Sequence, residues 1–167
     1  MIQGVLSRKS QFVRQSAGTV TDGQVIAANM DVVFIVNSFN HDVNLRRIER
    51  YILTTYESNA TPVIVMTKTD VVTPEDVVRI IHQVEEVAIG IPVVSISNVT
   101  GEGIDTLKRY LVAGQAVALL GSSGVGKSTL INRLMGRTVQ QTNAIRDHDS
   151  KGRHTTTHRE MFLLPEG

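Results

Sequence analysis

Cysteine does not occur in the 167 residues, which removes disulfides, thiol catalysis and cysteine-ligated zinc together. Aromatic residues make up only 4%, so aliphatic side chains must fill the core. Charge of one sign is also lacking. The formal net charge is +1, which gives no general argument for binding nucleic acid or membrane. No apolar run approaches the roughly 18–20 residues needed to span a bilayer. The N-terminus lacks the basic, apolar and small-residue order of a signal peptide. A soluble cytoplasmic protein is the expectation. What is present is 41% hydrophobic residues, enough for a real core, in a length that fits one domain or one domain with a short appendage.

Residues 1–24 form a polar lead-in with Arg8, Lys9 and Arg14. From Val25 the texture changes. The β-branched run Asp31–Asn37 predicts a buried strand, and Leu45–Leu53 a helix with Leu45, Ile48 and Ile52 at helical spacing. "PVIVMTKTD" (Pro62–Asp70) is a second strand opening into a loop. Thr73, Pro74, Glu75 and Asp76 start a helix with a threonine cap, proline at the first position and acids in the first turn; it should run to about Ala88. Ile91–Ser97 predicts a third strand, Gly103–Gly114 an amphipathic helix, Gln115–Gly121 a fourth strand, and Ser128–Gly136 a final helix. This alternation, with short connections, predicts a doubly wound α/β fold with a mostly parallel sheet. Arg137–His158 is polar and long for a loop, which suggests a functional or mobile segment. A fifth apolar run, "EMFLLPEG", follows it.

Gly121, Ser122, Ser123, Gly124, Val125, Gly126, Lys127, Ser128 and Thr129 contain the pattern G-x-x-x-x-G-K-[ST] between a strand and a helix. The glycines let backbone amides wrap a β-phosphate. Lys127 reaches the β and γ oxygens, and Ser128 can ligate Mg²⁺. The bland alternative is a glycine-rich turn with an exposed lysine. A phosphate loop does not choose between ATP and GTP, but "TKTD" addresses the base. A carboxylate at Asp70 can accept from both guanine N1–H and the 2-amino group, a pair adenine does not offer. Lys68 can lay its stem along the base plane. An ordinary polar turn at a strand end would look the same.

"SNVTGEGI" (Ser97–Ile104) resembles the S-A-K-x-G-x-G segment of translation-factor-like GTPases. That resemblance implies that the Asn98 amide contacts guanine O6 and that Ser97 braces the loop around Asp70. Two departures stand out. Thr67 replaces the usual Asn, which should lose a bracing amide, and Val99 replaces a Lys that would stack on the base.

The base motif, second base loop, phosphate loop and switch follow one another in the order a circular permutation of a Ras-like P-loop NTPase would produce. With "QVIAANMDVVFIV", "NLRRIERYIL", "GSSGVGKSTL" and "GRHTTTH", the chain resembles the circularly permuted RsgA GTPases. The resemblance implies a cytoplasmic enzyme that hydrolyses GTP in maturation of the small ribosomal subunit, binding GTP or GDP with Mg²⁺ and touching rRNA. It further implies that residues 1–24 are the end of an N-terminal OB-fold and its linker, and residues 25–167 an incomplete permuted GTPase domain. Arg8, Lys9 and Arg14 would then meet rRNA phosphates, or be a solvated basic tail.

By the same resemblance "GRHTTTH" (Gly152–His158) is the first switch. Thr156 would reach Mg²⁺, with Thr155 and Thr157 at adjacent offsets, and His154 would position water or be an exposed side chain without a role. A metal site at His148, Asp149, His154 and His158 is disfavoured, and zinc is not expected. The family's D-x-P-G motif does not occur in the sequence. Its strand should separate the phosphate-loop strand from "EMFLL", so Arg137–Gly167 is expected to be poorly packed, mobile or docked on another copy. The chain should then bind nucleotide better than it hydrolyses it. A non-catalytic guanine-nucleotide module and an ATP-using P-loop enzyme are the rival readings.

Overall fold

The computed structural model describes residue 4 and residues 7–14, 24–40, 43–140 and 161–165. Two antiparallel strands, β1 (Gln11–Arg14) and β2 (Gln24–Ala28), form a ribbon of their own. The boundary expected at 24/25 falls inside β2. Phe12 anchors this ribbon among Ile48 and Ile52, and Ser10 Oγ exchanges hydrogen bonds with the Met30 backbone.

The main sheet has four parallel strands: β3 (Val32–Ser38), β4 (Thr61–Thr67), β5 (Val93–Ile96) and β6 (Val117–Leu120), in the order β5-β4-β3-β6. Between them run α1 (Leu45–Glu57), α2 (Pro74–Val87) and α3 (Ile104–Lys108), and α4 (Lys127–Met135) follows β6. β3 and β4 are covered on both faces, which is why they read as unbroken apolar runs. Val33, Ile35, Ile64 and Met66 pack with Ile48, Ile52, Ile80 and Val84 of α1 and α2. Val32, Phe34, Val36, Val63 and Val65 face the other way, onto Ile104 and Leu107 of α3 and Leu130 of α4.

α1 extends one turn beyond the expected Leu53. The polar residues that close it are satisfied locally, as Thr54, Thr55 and Ser58 hydroxyls donate to carbonyls four residues back. α3 stops at Lys108 rather than near Gly114. Arg109, Tyr110 and Leu111 continue in tighter turns, each amide bonding three residues back, and so bring Tyr110 and Leu111 against the sheet. Residues 161–165 carry no strand.

The topology places the site. From β3 the chain steps outward to β4 and β5, then returns to the other side of β3 as β6. The winding therefore reverses between β3 and β6, and in open parallel sheets ligands bind at the carboxyl ends beside such a reversal.

Candidate nucleotide-binding site

The loop Gly121–Gly126 leaves the carboxyl end of β6 and turns into α4. Gly121 is required by close approach, because a Cβ there would collide with the Val36 carbonyl of β3. Gly126 adopts φ 98°, a region that side chains rarely enter. Lys127 opens α4 and its Nζ turns back into the loop, donating to the carbonyls of Gly121 (2.9 Å) and Ser122 (2.7 Å). Burial pushes this ammonium below its ordinary pKa, and among the described residues no carboxylate pairs with it. Ser128 and Thr129 stand in the first turn of α4.

Asp70 lies in a short 3₁₀ turn, Thr69–Val71, directly after β4. Its Oδ1 accepts the Ser97 hydroxyl at 2.5 Å. Ser97 is fully buried, and its oxygen also accepts the amides of Val99 (3.2 Å) and Thr100 (3.1 Å). The bracing expected of Ser97 is thus present as geometry. Lys68 between the strand and the turn has φ 67°, an uncommon conformation that concentrates at functional sites. Its Nζ is shielded from water and has no hydrogen-bond partner among the described residues. Burial lowers its pKa, opposed by the nearby Asp70 carboxylate.

The expectation that Thr67 costs the site a brace does not hold. Its hydroxyl, at 0% exposure, lies within hydrogen-bond distance of the Val125 carbonyl in the phosphate loop (2.6 Å) and the Asn37 carbonyl in β3 (3.1 Å). A hydroxyl takes over the linking role an amide would have had. Asn98 adds a second link, Nδ2 donating to the Gly126 carbonyl at 3.3 Å, while its buried Oδ1 has no partner among the described residues. Val99 stands 75% exposed. The sequence reading missed Arg133, whose Nη1 donates to the carbonyls of Asn98 (3.1 Å) and Val99 (3.3 Å). Nothing but its place two turns along α4 could have marked it.

So the structure brings Thr67, Lys68, Asp70, Ser97 and Asn98 to one edge of the phosphate loop Gly121–Thr129. His154 and Thr156, with Thr155, Thr157, His148, Asp149 and His158, lie outside the described residues. The cluster fits an anion with an attached base. Burial holds the Lys127 ammonium at the loop below its usual pKa, so a phosphate there would stabilise its charged form. A loop with glycine at 121, 124 and 126 supplies backbone amides at the start of a helix. No described helix is long and apolar enough to cross a membrane.

Residues 5–167 match the family described as RsgA GTPase. The chain is 48% identical over 167 residues to the small ribosomal subunit biogenesis GTPase RsgA of Methanosarcina acetivorans, covering 100% of this chain and 45% of that protein. It is 47% identical over 166 residues to RsgA 2 of Lactiplantibacillus plantarum, covering 99% and 46%. The chain therefore spans about half the length of the curated relatives it matches. Among solved structures it is similar to YjeQ from Thermotoga maritima, with a TM-score of 0.64 and 29% identity over 78% of this chain and 44% of that one. The fold alone is shared with YloQ, a circularly permuted GTPase, at a TM-score of 0.53 and 18% identity over 80% and 52%. A phosphate-loop strand that is the last among the described residues yet pairs with the first strand of the parallel sheet is what such permutation produces. With the match running through every strand of the sheet and both loops beside the phosphate loop, the chain belongs to the RsgA GTPase family.

Proposed function

We propose that this chain is the guanine-nucleotide-binding core of a cytoplasmic enzyme that hydrolyses GTP to GDP and phosphate during maturation of the small ribosomal subunit. The observation that carries the reading is the Asp70 carboxylate held by Ser97, in loops tied to the phosphate loop through Thr67 and Asn98. Asp70 accepts from guanine N1–H and the 2-amino group. Asn98 offers its backbone amide to O6, and Lys68 lies along the base. The amides of Gly121, Ser122, Ser123, Gly124, Val125, Gly126 and Thr129 surround the phosphates.

Lys127 exchanges its two carbonyl partners for phosphate oxygens, where its charge offsets the negative charge that builds up in transfer. Ser128 and Thr156 would hold Mg²⁺, which would neutralise phosphate charge when bound, and His154 would position the attacking water. Residues 1–24 are read as the end of an OB-fold, with Arg8, Lys9 and Arg14 meeting rRNA phosphates.

The test is displacement of fluorescent GDP, in Mg²⁺, by unlabelled GDP, GTP and ATP, with Asp70→Ala in parallel. GDP and GTP should displace the probe where ATP does not, and the variant should lose that preference by roughly tenfold or more. Equal displacement by ATP in the unaltered chain sinks the guanine assignment.

A further inference from the structure

The geometry points to Arg133 as a positioning residue for base selectivity, an arginine on α4 that orients the Asp70 carboxylate through the Ser97 loop without touching nucleotide. The inference rests on the reading of Asp70 as the guanine acceptor.

The argument follows two peptide planes. The amide of Val99 and the carbonyl of Asn98 belong to one peptide unit; the amide of Thr100 and the carbonyl of Val99 belong to the next. In a trans peptide the N–H and C=O point in opposite directions. Both amides end on the Ser97 hydroxyl oxygen, at 3.2 and 3.1 Å. Both carbonyls end on Arg133 Nη1, at 3.1 and 3.3 Å. The two planes are therefore gripped at both ends. Their inner end is the same oxygen whose proton goes to Asp70 Oδ1. If the outer grip is released, the planes can rotate, and the orientation of the Ser97 hydroxyl and of Asp70 loosens with them.

Gly101 packs beneath the arginine in a left-handed conformation (φ 91°) that itself favours glycine. Arginine suits the task, because its charge persists at all working pH values and its donors lie in a rigid plane. The same side chain ties the base loop to the helix whose first turn holds Lys127 and Ser128, so the base and phosphate halves of the site share one rigid element.

The test uses the full 167-residue chain and three probes: GDP, inosine diphosphate (which lacks the 2-amino group) and inorganic pyrophosphate. In the unaltered chain GDP should bind tighter than inosine diphosphate. Arg133→Ala should shrink that ratio by about threefold to tenfold, the span of an ordinary net hydrogen bond, while pyrophosphate affinity stays the same. Arg133→Lys, which keeps the charge and one donor direction, should recover part of the ratio, and it carries the test if the alanine variant does not fold. An unchanged ratio in the altered chain overturns the proposal. So does an equal loss for all three probes, which would mean that Arg133 only supports the fold. An unaltered chain with no preference for GDP over inosine diphosphate refutes the guanine reading itself, and that is seen before any variant is made.

Discussion

Thr67 shows how one buried hydroxyl can replace a missing amide. It sits at the end of β4 with its oxygen between β3 and the phosphate loop. Thr67→Val keeps nearly the same shape and leaves the Val125 carbonyl without this donor. Such a loss costs about 1–3 kcal/mol, and a lower denaturant midpoint with unchanged slope would show it; an unmoved midpoint would mean the link is not stabilising. Lys127 makes a prediction in pH. Burial depresses its pKa in the free chain, and a bound phosphate raises it again. Binding then takes up a proton, so affinity is fully present below the free-chain pKa and falls as pH rises through it. Lys127→Arg keeps its charge throughout. The ratio of GDP affinities, unaltered chain over Lys127→Arg, should therefore decline from neutral to alkaline pH, with base and phosphate ionisation cancelling. A flat ratio would refute the link. At this scale the sequence marked residue types well, since Ser97 does brace Asp70. It could not show that threonine would reach the loop, because that depends on the register between β4 and the phosphate loop.

Among the elements, α2 was the most legible. Thr73 caps it by accepting the Asp76 amide at 3.2 Å, with Pro74 in the first turn. Thr73→Ala should cost about 1 kcal/mol in a denaturant titration. α2 packs on the face of the sheet away from α4, so affinity for GDP should not change; a large loss of binding would show that the two faces are coupled. The Arg79 guanidinium, and then the Thr73 hydroxyl, hold the Asp76 carboxyl below its ordinary value. Its folded pKa is depressed, so its small contribution is present above the unfolded pKa and disappears as pH falls through the folded one. Two other elements were less legible. The periodicity of 103–114 is helical, yet only Ile104–Lys108 forms α helix, because the contact of Tyr110 and Leu111 with the sheet sets the turn after it. β2 is five residues long and its neighbour in the ribbon is β1, whose closest paired end, Arg14, lies ten residues before Gln24. A pairing of that kind leaves no periodic trace in either strand.

At the scale of the whole molecule, the parallel sheet and its direction of winding follow from the alternation of apolar runs, but which strand ends at an edge does not. Among the described residues β6 pairs with β3 alone, and Val117, Ala118, Leu119 and Leu120 remain half-exposed while their partners in β3 are buried. A strand added at this edge, next to the phosphate loop, would bear on stability and catalysis differently. Extending the chain with a strand that carries D-x-P-G should bury the free side of β6. Each kcal/mol gained would raise the unfolding temperature by roughly 2–4 °C in a chain of this size. GDP affinity should change little, since Lys68, Asp70 and Ser97 follow β4 and β5, on the β3 side of β6. GTP turnover should rise, because the added aspartate and glycine would supply Mg²⁺ support and a γ-phosphate contact. Single-turnover hydrolysis measured beside a thermal melt separates the two effects. A higher melting temperature with turnover unmoved would mean that the strand completes the sheet but not the reaction, placing the limiting groups in the segment of Thr156 and His154.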